Sequence, residues 1–195
     1  MGRAIAFDYE RAVEKAMRLF WKDGYAGTSL RDLLKAIGIG EGSFYNTLKS
    51  KKQLYVACVA HYEETEGRKR AHALLSAPTA SQGIRAMFGV MLDCLDDPLV
   101  PSRLCMLAAM ATEEVLSDPD LRKRVEESIK QVLTVLNQRI SRDRAEGVLP
   151  VSLDPQAIAS IIITYAQGLW RMALIDYDRA RFEQQIATFL TGLGL

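Results

Sequence analysis

No charge of one sign dominates this chain: 25 basic against 24 acidic residues leave a net charge of +1 over 195 positions, which argues neither for nor against a polyanionic partner. Cysteine is scarce. Cys58, Cys94 and Cys105 form no CxxC and leave an odd count, so a disulfide framework is excluded and a reducing compartment, the cytoplasm, is expected. Such cysteines usually serve as small buried apolar residues, with a redox pair of Cys94 and Cys105 as the alternative. No apolar run approaches the roughly 20 residues of a membrane-spanning helix, so no membrane partner is expected. The opening MGRAIA carries Ala6 where myristoylation requires Ser or Thr, and no secretory apolar segment follows. There are only two histidines, His61 and His72, eleven residues apart, which is not metal-ligand spacing, so neither metal nor cofactor is expected.

The motifs of common enzymes are missing too. HExxH, GxSxG and the P-loop do not occur, and GIGEG at Gly38 follows a helical pattern rather than a strand, which removes the dinucleotide-loop reading. Asp96 with Asp97 and Glu113 with Glu114 are carboxylate neighbours. Adjacent residues diverge by about 100° on a helix and do not face each other. An enzyme is therefore not the expected class.

The informative stretch is Ser29 to Lys52. Leu30, Leu33, Leu34 and Ile37 fall at i, i+3, i+4 and i+7, an apolar stripe on a short helix. Gly38 and Gly40 permit a sharp turn, and a second short helix begins near Glu41. Small residues at its start, Gly42 and Ser43, followed by Tyr45 and Thr47 and by Lys49, Lys51 and Lys52, suit entry into a major groove between two phosphate backbones. Before it, Asp8 caps a first helix whose face is Val13, Ala16, Met17, Phe20 and Trp21, ending over Lys22 to Gly24. Thr28 or Ser29 caps the next helix, with Thr28 expected both to cap and to meet a phosphate. Ile39, Phe44 and Leu48 close a three-helix core. Ser50 and Gln53 read as a capping box opening a fourth helix from Lys51 to about Leu75. A lysine at a helix N-terminus opposes the macrodipole, and a phosphate near Lys51 would explain it. Charge is distributed to match: residues 1 to 55 hold 10 basic and 6 acidic residues, +4, against 15 and 18, −3, in the remainder.

Gly24, Tyr25, Thr28, Ser29, Leu33, Gly38, Ser43, Phe44, Tyr45, Lys51 and Leu54, as they stand here, resemble the helix-turn-helix of the TetR family of bacterial transcriptional regulators. The match covers roughly the first quarter of the chain. It departs at Leu48, where the family commonly has Phe, and at Glu41, an acid at the start of a groove-facing helix. The resemblance implies DNA contacts at Tyr45 and Thr47. With it, the outward face comprises Thr28, Arg31, Gly42, Ser43, Tyr45, Thr47 and Lys51.

After the small and polar Ser76 to Gln82 boundary, the body is wholly helical in pattern. One helix carries Ile84 to Leu95, another spans Arg103 to about Leu116, and a long one runs from Pro119 to about Glu146 with Gly147 as its stop. The last two helices are apolar on more than one side, and the resemblance implies that they form a four-helix dimer interface. Its candidate residues are Ile158, Ile162, Leu169, Phe182, Ile186 and Phe189, with burial inside a monomer as the alternative. Methionines and aromatics suggest an effector cavity lined by Phe88, Met91, Met106, Met110, Tyr165 and Trp170, with Met87, Met172, Gln167 and Arg171 as further candidates and plain core as the alternative.

The expected fold is all-α. A helix-turn-helix head over residues 1–55 is followed by a connecting helix of about 51–75 and a ligand-binding and dimerisation bundle over 76–195. The expected function is a ligand-responsive repressor that binds a near-palindromic operator as a homodimer and is released by a small apolar or amphipathic effector. The alternative is a helical ligand-binding or scaffold protein that no longer binds DNA.

Overall fold

A computed structural model describes residues 7–195; Ala6 and the rest of the opening MGRAIA lie outside the described residues. The described chain is all-α, a helix-turn-helix head joined to a larger helical body. In the head, α1 (Tyr9–Gly27) is capped by Asp8, which accepts from the Arg11 amide at 3.0 Å, and it breaks at Gly24, whose φ of 74° only glycine adopts readily. Helix α2 (Leu30–Ile37) packs on it, and α2 and α3 (Glu41–Leu48) bury Leu33, Ile37, Phe44 and Leu48 in the core to which α1 contributes Phe20 and Trp21. The turn between them depends on Gly38 at φ 85°, whose amide reaches the Leu34 carbonyl. Gly40 needs no such freedom: its φ is −79°.

One helical run then links head to body. It consists of α4 (Lys51–Tyr62), a π turn (Glu63–Gly67) and α5 (Arg68–Ser76). Ser50 accepts from the Gln53 amide, but its own amide donates to the Leu48 carbonyl, so only half of the expected capping box forms. In the π turn the Thr65 hydroxyl donates to the His61 carbonyl at 2.8 Å, satisfying an acceptor that the widened turn would otherwise leave free. Neither helix of this run is short of packing: α4 lies along α1, and α5 along α6 (Ala80–Asp96). The second crossing is close. A Cβ on Gly83 would sit 2.2 Å from the Leu74 carbonyl oxygen.

The Arg103 to Leu116 segment is not one helix but two short ones, α7 (Met106–Ala109) and α8 (Glu113–Ser117). Leu104, Leu107, Ala108 and Ala111 keep a helical register, yet long-range donors take the carbonyls: Trp21 Nε1 donates to Leu104 O at 2.7 Å, and Arg171 Nη2 to Ala108 O at 3.1 Å. Thr112 is then extended and caps α8. Helix α9 (Pro119–Ala145) is capped by Asp118, carries Pro119 in its first turn and stops at Gly147, φ 76°. Helices α10 (Pro155–Ala173) and α11 (Arg179–Gly192) complete the body. Asp96, one of the paired carboxylates, is engaged by Tyr177 and Arg179 at the α6 to α11 junction, and Arg179 holds its carboxyl below the usual range. No helix of the described residues is long and apolar enough to cross a membrane.

A buried ion pair fixes the start of α6. Arg139 and Asp143, both on α9, pair at 6% and 1% side-chain exposure. Asp143 also accepts from the Ala80 amide, while Arg139 Nη2 donates to the carbonyls of Ala77 and Pro78 at 3.2 and 2.9 Å. One side-chain pair thus satisfies backbone groups at both edges of the α5 to α6 connection. Asp143→Ala leaves the Arg139 charge buried without its counter-ion and is expected to cost about 3–5 kcal/mol in urea unfolding; a loss under about 1 kcal/mol, the scale of an exposed pair, would show that the pair does not organise this corner.

Candidate DNA-binding face and the cavity behind it

Helix α3 buries only Phe44 and Leu48. Every other residue of the helix, Glu41, Gly42, Ser43, Tyr45, Asn46 and Thr47, is exposed. Tyr45, 49% exposed, packs its ring edge-on against Phe44 at 5.5 Å, so the phenol leaves the core at a defined angle. Asn46 was not among the expected contacts, although it shares this surface. Arg31, on the first turn of α2, is exposed too, two residues past the Ser29 cap. The Ser29 hydroxyl accepts from the Asp32 amide, and the Asp32 carboxylate accepts in turn from Ser29, which holds that carboxyl below its ordinary range.

Thr28 departs from expectation. It is 1% exposed, and its hydroxyl donates to Gly24 O at 2.7 Å, tying off the broken end of α1; Ser29 alone caps α2. The break at Gly24 leaves a carbonyl that the nearest hydroxyl satisfies, and the side chain is consumed there. Lys51 also has a partner that the sequence did not suggest: its ammonium lies 4.4 Å from the centre of the Tyr25 ring. The ring offsets the unfavourable helix-end position, so no phosphate is required to explain it. Lys52 is spent on Asp118 and Asp120, at 3.2 and 2.6 Å, clasping the start of α4 to the start of α9. Lys49, at the end of α3, takes φ 66° and ψ −59° in a γ-turn closed by Ser50 N to Leu48 O at 2.8 Å. A non-glycine residue held there stores about 1–3 kcal/mol, and such strain clusters at functional sites.

Behind the head lies a cavity of about 440 Å³. Its walls come from the π turn and α5 (Glu63, Gly67, Arg70, Ala71, Leu74), from α6 (Met87, Phe88, Met91), from α9 (Ile129, Val132, Val135) and from α10 (Ile163, Ala166, Gln167, Trp170), with Cys105 between them. Of the residues named from the sequence, Phe88, Met91, Trp170, Met87 and Gln167 lie on this lining. Met106, Met110 and Tyr165 do not: the two methionines are core at 1% and 0% exposure, and Tyr165 stacks on Phe189 at 3.7 Å. Arg171 points instead to Ala108. Methionine periodicity marks an interior face but not which part of that interior is left empty. Glu63 and Arg70 were missed because charged residues on a connecting helix read as solvated. All three cysteines are free and buried, and burial pushes the Cys94 thiol up to about 11 and Cys58 higher still, which makes both poor nucleophiles.

The proposed dimer residues are also redistributed. Ile162, Leu169, Phe182 and Ile186 are buried within the chain, and Ile158 and Phe189 are partly buried against the same core. The outward stripe of α10 is Ala157, Ile161, Thr164, Gly168 and Met172, and that of α11 includes Gln184, Ala187, Thr188 and Thr191, all exposed. Where α10 is apolar on two sides, Ile162, Leu169 and Trp170 have gone into the core, and a side that mixes the small Ala157, Thr164 and Gly168 with Ile161 and Met172 remains exposed.

This architecture, a three-helix head on a helical body enclosing a cavity, defines a helix-turn-helix transcriptional regulator. The sequence profile described as "Bacterial regulatory proteins, tetR family" matches residues 12–58, and that described as "Tetracyclin repressor-like, C-terminal domain" matches residues 80–189. The chain belongs to the TetR family of transcriptional regulators, a family of DNA-binding proteins rather than enzymes. It is similar to the uncharacterized HTH-type transcriptional regulator YezE of Bacillus subtilis (strain 168), 28% identical over 99% of this chain and 100% of that one. It is also similar to the HTH-type transcriptional repressor ComR of Escherichia coli (strain K12), 24% identical over 86% of this chain and 80% of the other. Among solved structures, a cysteine mutant of the TetR family regulator CifR, complexed with 26-bp double-strand operator DNA, superposes with a TM-score of 0.87 at 28% identity, covering 97% of this chain and 98% of that one.

Tyr45→Phe and Thr47→Val should each weaken operator binding by about 1 kcal/mol, near fivefold, as loss of one hydrogen bond requires, measured by fluorescence anisotropy. In the same assay Lys51→Ala should flatten the slope of log affinity against log salt by about one, and Lys52→Ala should leave it unchanged. Equal slopes for the two lysine variants would count against the assigned face.

Proposed function

We propose that this protein is a cytoplasmic, ligand-responsive repressor that binds a near-palindromic operator as a homodimer and is released by a small apolar or amphipathic effector. The observation that carries the reading is the placement of the π turn: the helical run that packs on the head at one end forms a wall of the cavity at the other. Within the head, Arg31, Gly42, Ser43, Tyr45 and Thr47 form the DNA face. Gly42 and Ser43 allow close approach, Tyr45 and Thr47 donate to phosphates or base edges, and Arg31 reads a base. Lys51 joins them by exchanging its ring contact for a phosphate. The CifR structure, which contains operator DNA, supports this assignment by likeness of fold across both chains.

Two copies would meet through the outward stripes of α10 and α11. Small side chains at Ala157, Gly168 and Ala187 let helices approach, and Ile161 and Met172 supply apolar area. The two α3 helices would then occupy successive major grooves, about 34–36 Å apart. Occupation of the cavity would favour an arrangement of the heads that fits this spacing less well, by no more than the effector's differential affinity for the two arrangements. The exposed Glu41 carboxylate at the N-terminus of α3 favours the alternative, a ligand-binding protein that has lost DNA recognition.

Footprinting on the DNA upstream of its own gene separates the two readings: the repressor protects two half-sites about one helical turn apart, and the alternative protects none at moderate salt. Ile161→Glu should yield a monomer in light scattering, with the footprint lost and the melting temperature kept. A monomeric wild-type protein would overturn the homodimer.

A further inference from the structure

The cavity lining contains a charge without a counter-ion among the described residues, although the Arg70 guanidinium lies 5.4 Å from the centre of the Tyr62 ring. Arg70, on α5 just beyond the π turn, lines the cavity, and its Nη2 donates to Tyr62 Oη at 3.3 Å. Its Nη1 is buried with no hydrogen-bond partner, and no carboxylate of the described residues forms an ion pair with it. Tyr62 cannot supply the missing charge, because burial holds its phenol well above the ordinary range, and its hydroxyl donates in turn to Cys105 Sγ at 3.3 Å. The other ionic group of the inner wall is already balanced: Glu63 Oε2 is taken by Arg124, whose Nη1 goes on to Ser128 Oγ at 3.0 Å. Glu64 and Arg68, also on the lining, are both exposed and of opposite sign. The lining therefore carries one positive charge without a carboxylate partner, in a cavity it shares with Met87, Phe88, Met91, Val132 and Trp170.

A guanidinium taken out of water without a counter-ion is unfavourable, and its planar fork is the best geometric match for a carboxylate. Resting on the reading of the cavity as the effector site, we propose that the effector is an amphipathic carboxylate whose anionic end is held by Arg70 and whose apolar body lies along the methionine and aromatic wall. Glu63 Oε1, also buried and without a partner, remains free to accept from a hydroxyl or amide hydrogen on that ligand. A cation would find the one half-buried carboxylate of the lining, among the described residues, already paired to Arg124, and a neutral chain would leave the Arg70 charge unmatched.

The test uses octanoate, octan-1-ol and octylamine as matched probes of the full chain by isothermal titration calorimetry at neutral pH. Octanoate should bind tightest. Arg70→Gln should weaken octanoate by about tenfold to a hundredfold, the contribution of a charged hydrogen bond, and leave octanol unchanged, while Arg70→Lys, which keeps the charge but not the fork, should lose less. A folding defect would weaken acid and alcohol together, so the ratio between them isolates the role of the charge. Octanol equal to octanoate, octylamine tightest, or an Arg70→Gln variant of unchanged melting temperature that weakens all probes alike would overturn the assignment to a carboxylate and leave the cavity as the effector site. Failure of all three probes to bind the wild-type protein would overturn the effector-site reading itself, and the carboxylate with it.

Discussion

The continuous helical run from Lys51 to Ser76 has to satisfy two cores at once, and the rest of the structure follows from how it does so. At its head end Leu54, Tyr55, Cys58, Val59 and Tyr62 are buried against α1, with the Tyr62 ring edge-on to Trp21 at 5.0 Å and Cys58 Sγ at 3.5 Å from Val13 O. At its body end Leu74 is buried and its carbonyl lies under Gly83. An uninterrupted α-helix would carry Tyr62, Glu66, Lys69 and Ala73 along one face. The π turn adds a residue, and the inward positions become Glu63, Gly67, Arg70 and Leu74, with Lys69 left in water beside Glu66. A single extra residue thus separates a face that packs on the head from a face that lines a cavity.

That arrangement gives the proposed regulation a physical path. Arg70 touches Tyr62, Tyr62 touches Trp21, and Trp21 both belongs to the head core and donates to Leu104 of the body. Arg18 makes a similar clasp to Leu99 O at 2.7 Å, and Lys52 to Asp118 and Asp120. The head is therefore fastened to the body by a few polar contacts around one shared helix. A ligand group drawing Arg70 toward the cavity would alter the packing at Tyr62, and the head would move with α4. Packed contacts of this kind shift between discrete arrangements rather than deforming smoothly, which suits a switch.

Much of the head could be read from sequence because its constraints are local. Gly38 at a left-handed position, the apolar spacing of Leu33, Phe44 and Leu48, and Ser29 at a helix start all act within a few residues of themselves. What was not legible depended on distant partners. Thr28 loses its hydroxyl to a carbonyl freed by the break at Gly24, Lys51 rests on Tyr25, and the Arg103 to Leu116 pattern is divided by donors from Trp21 and Arg171. The outward face of α10 was inverted for a related reason. Periodicity identifies two apolar faces, but only packing decides that Ile162 and Leu169 enter the core and Ile161 and Gly168 do not. The π turn leaves no compositional mark at all, since a one-residue slip changes neither hydrophobicity nor helix propensity.

The central claim is that occupation of the cavity is felt at the DNA face through the Lys51 to Ser76 run. It can be tested without knowing the effector by filling the space from the far wall: Ala166 on α10 lines the cavity and lies outside the head. The operator affinity of Ala166→Phe, measured alongside wild type with the dimer verified by light scattering, is the decisive quantity. Coupling predicts a fall of about fivefold or more, the lower range of measured coupling energies, with the dimer intact. Unchanged affinity in a variant whose cavity is filled would contradict it.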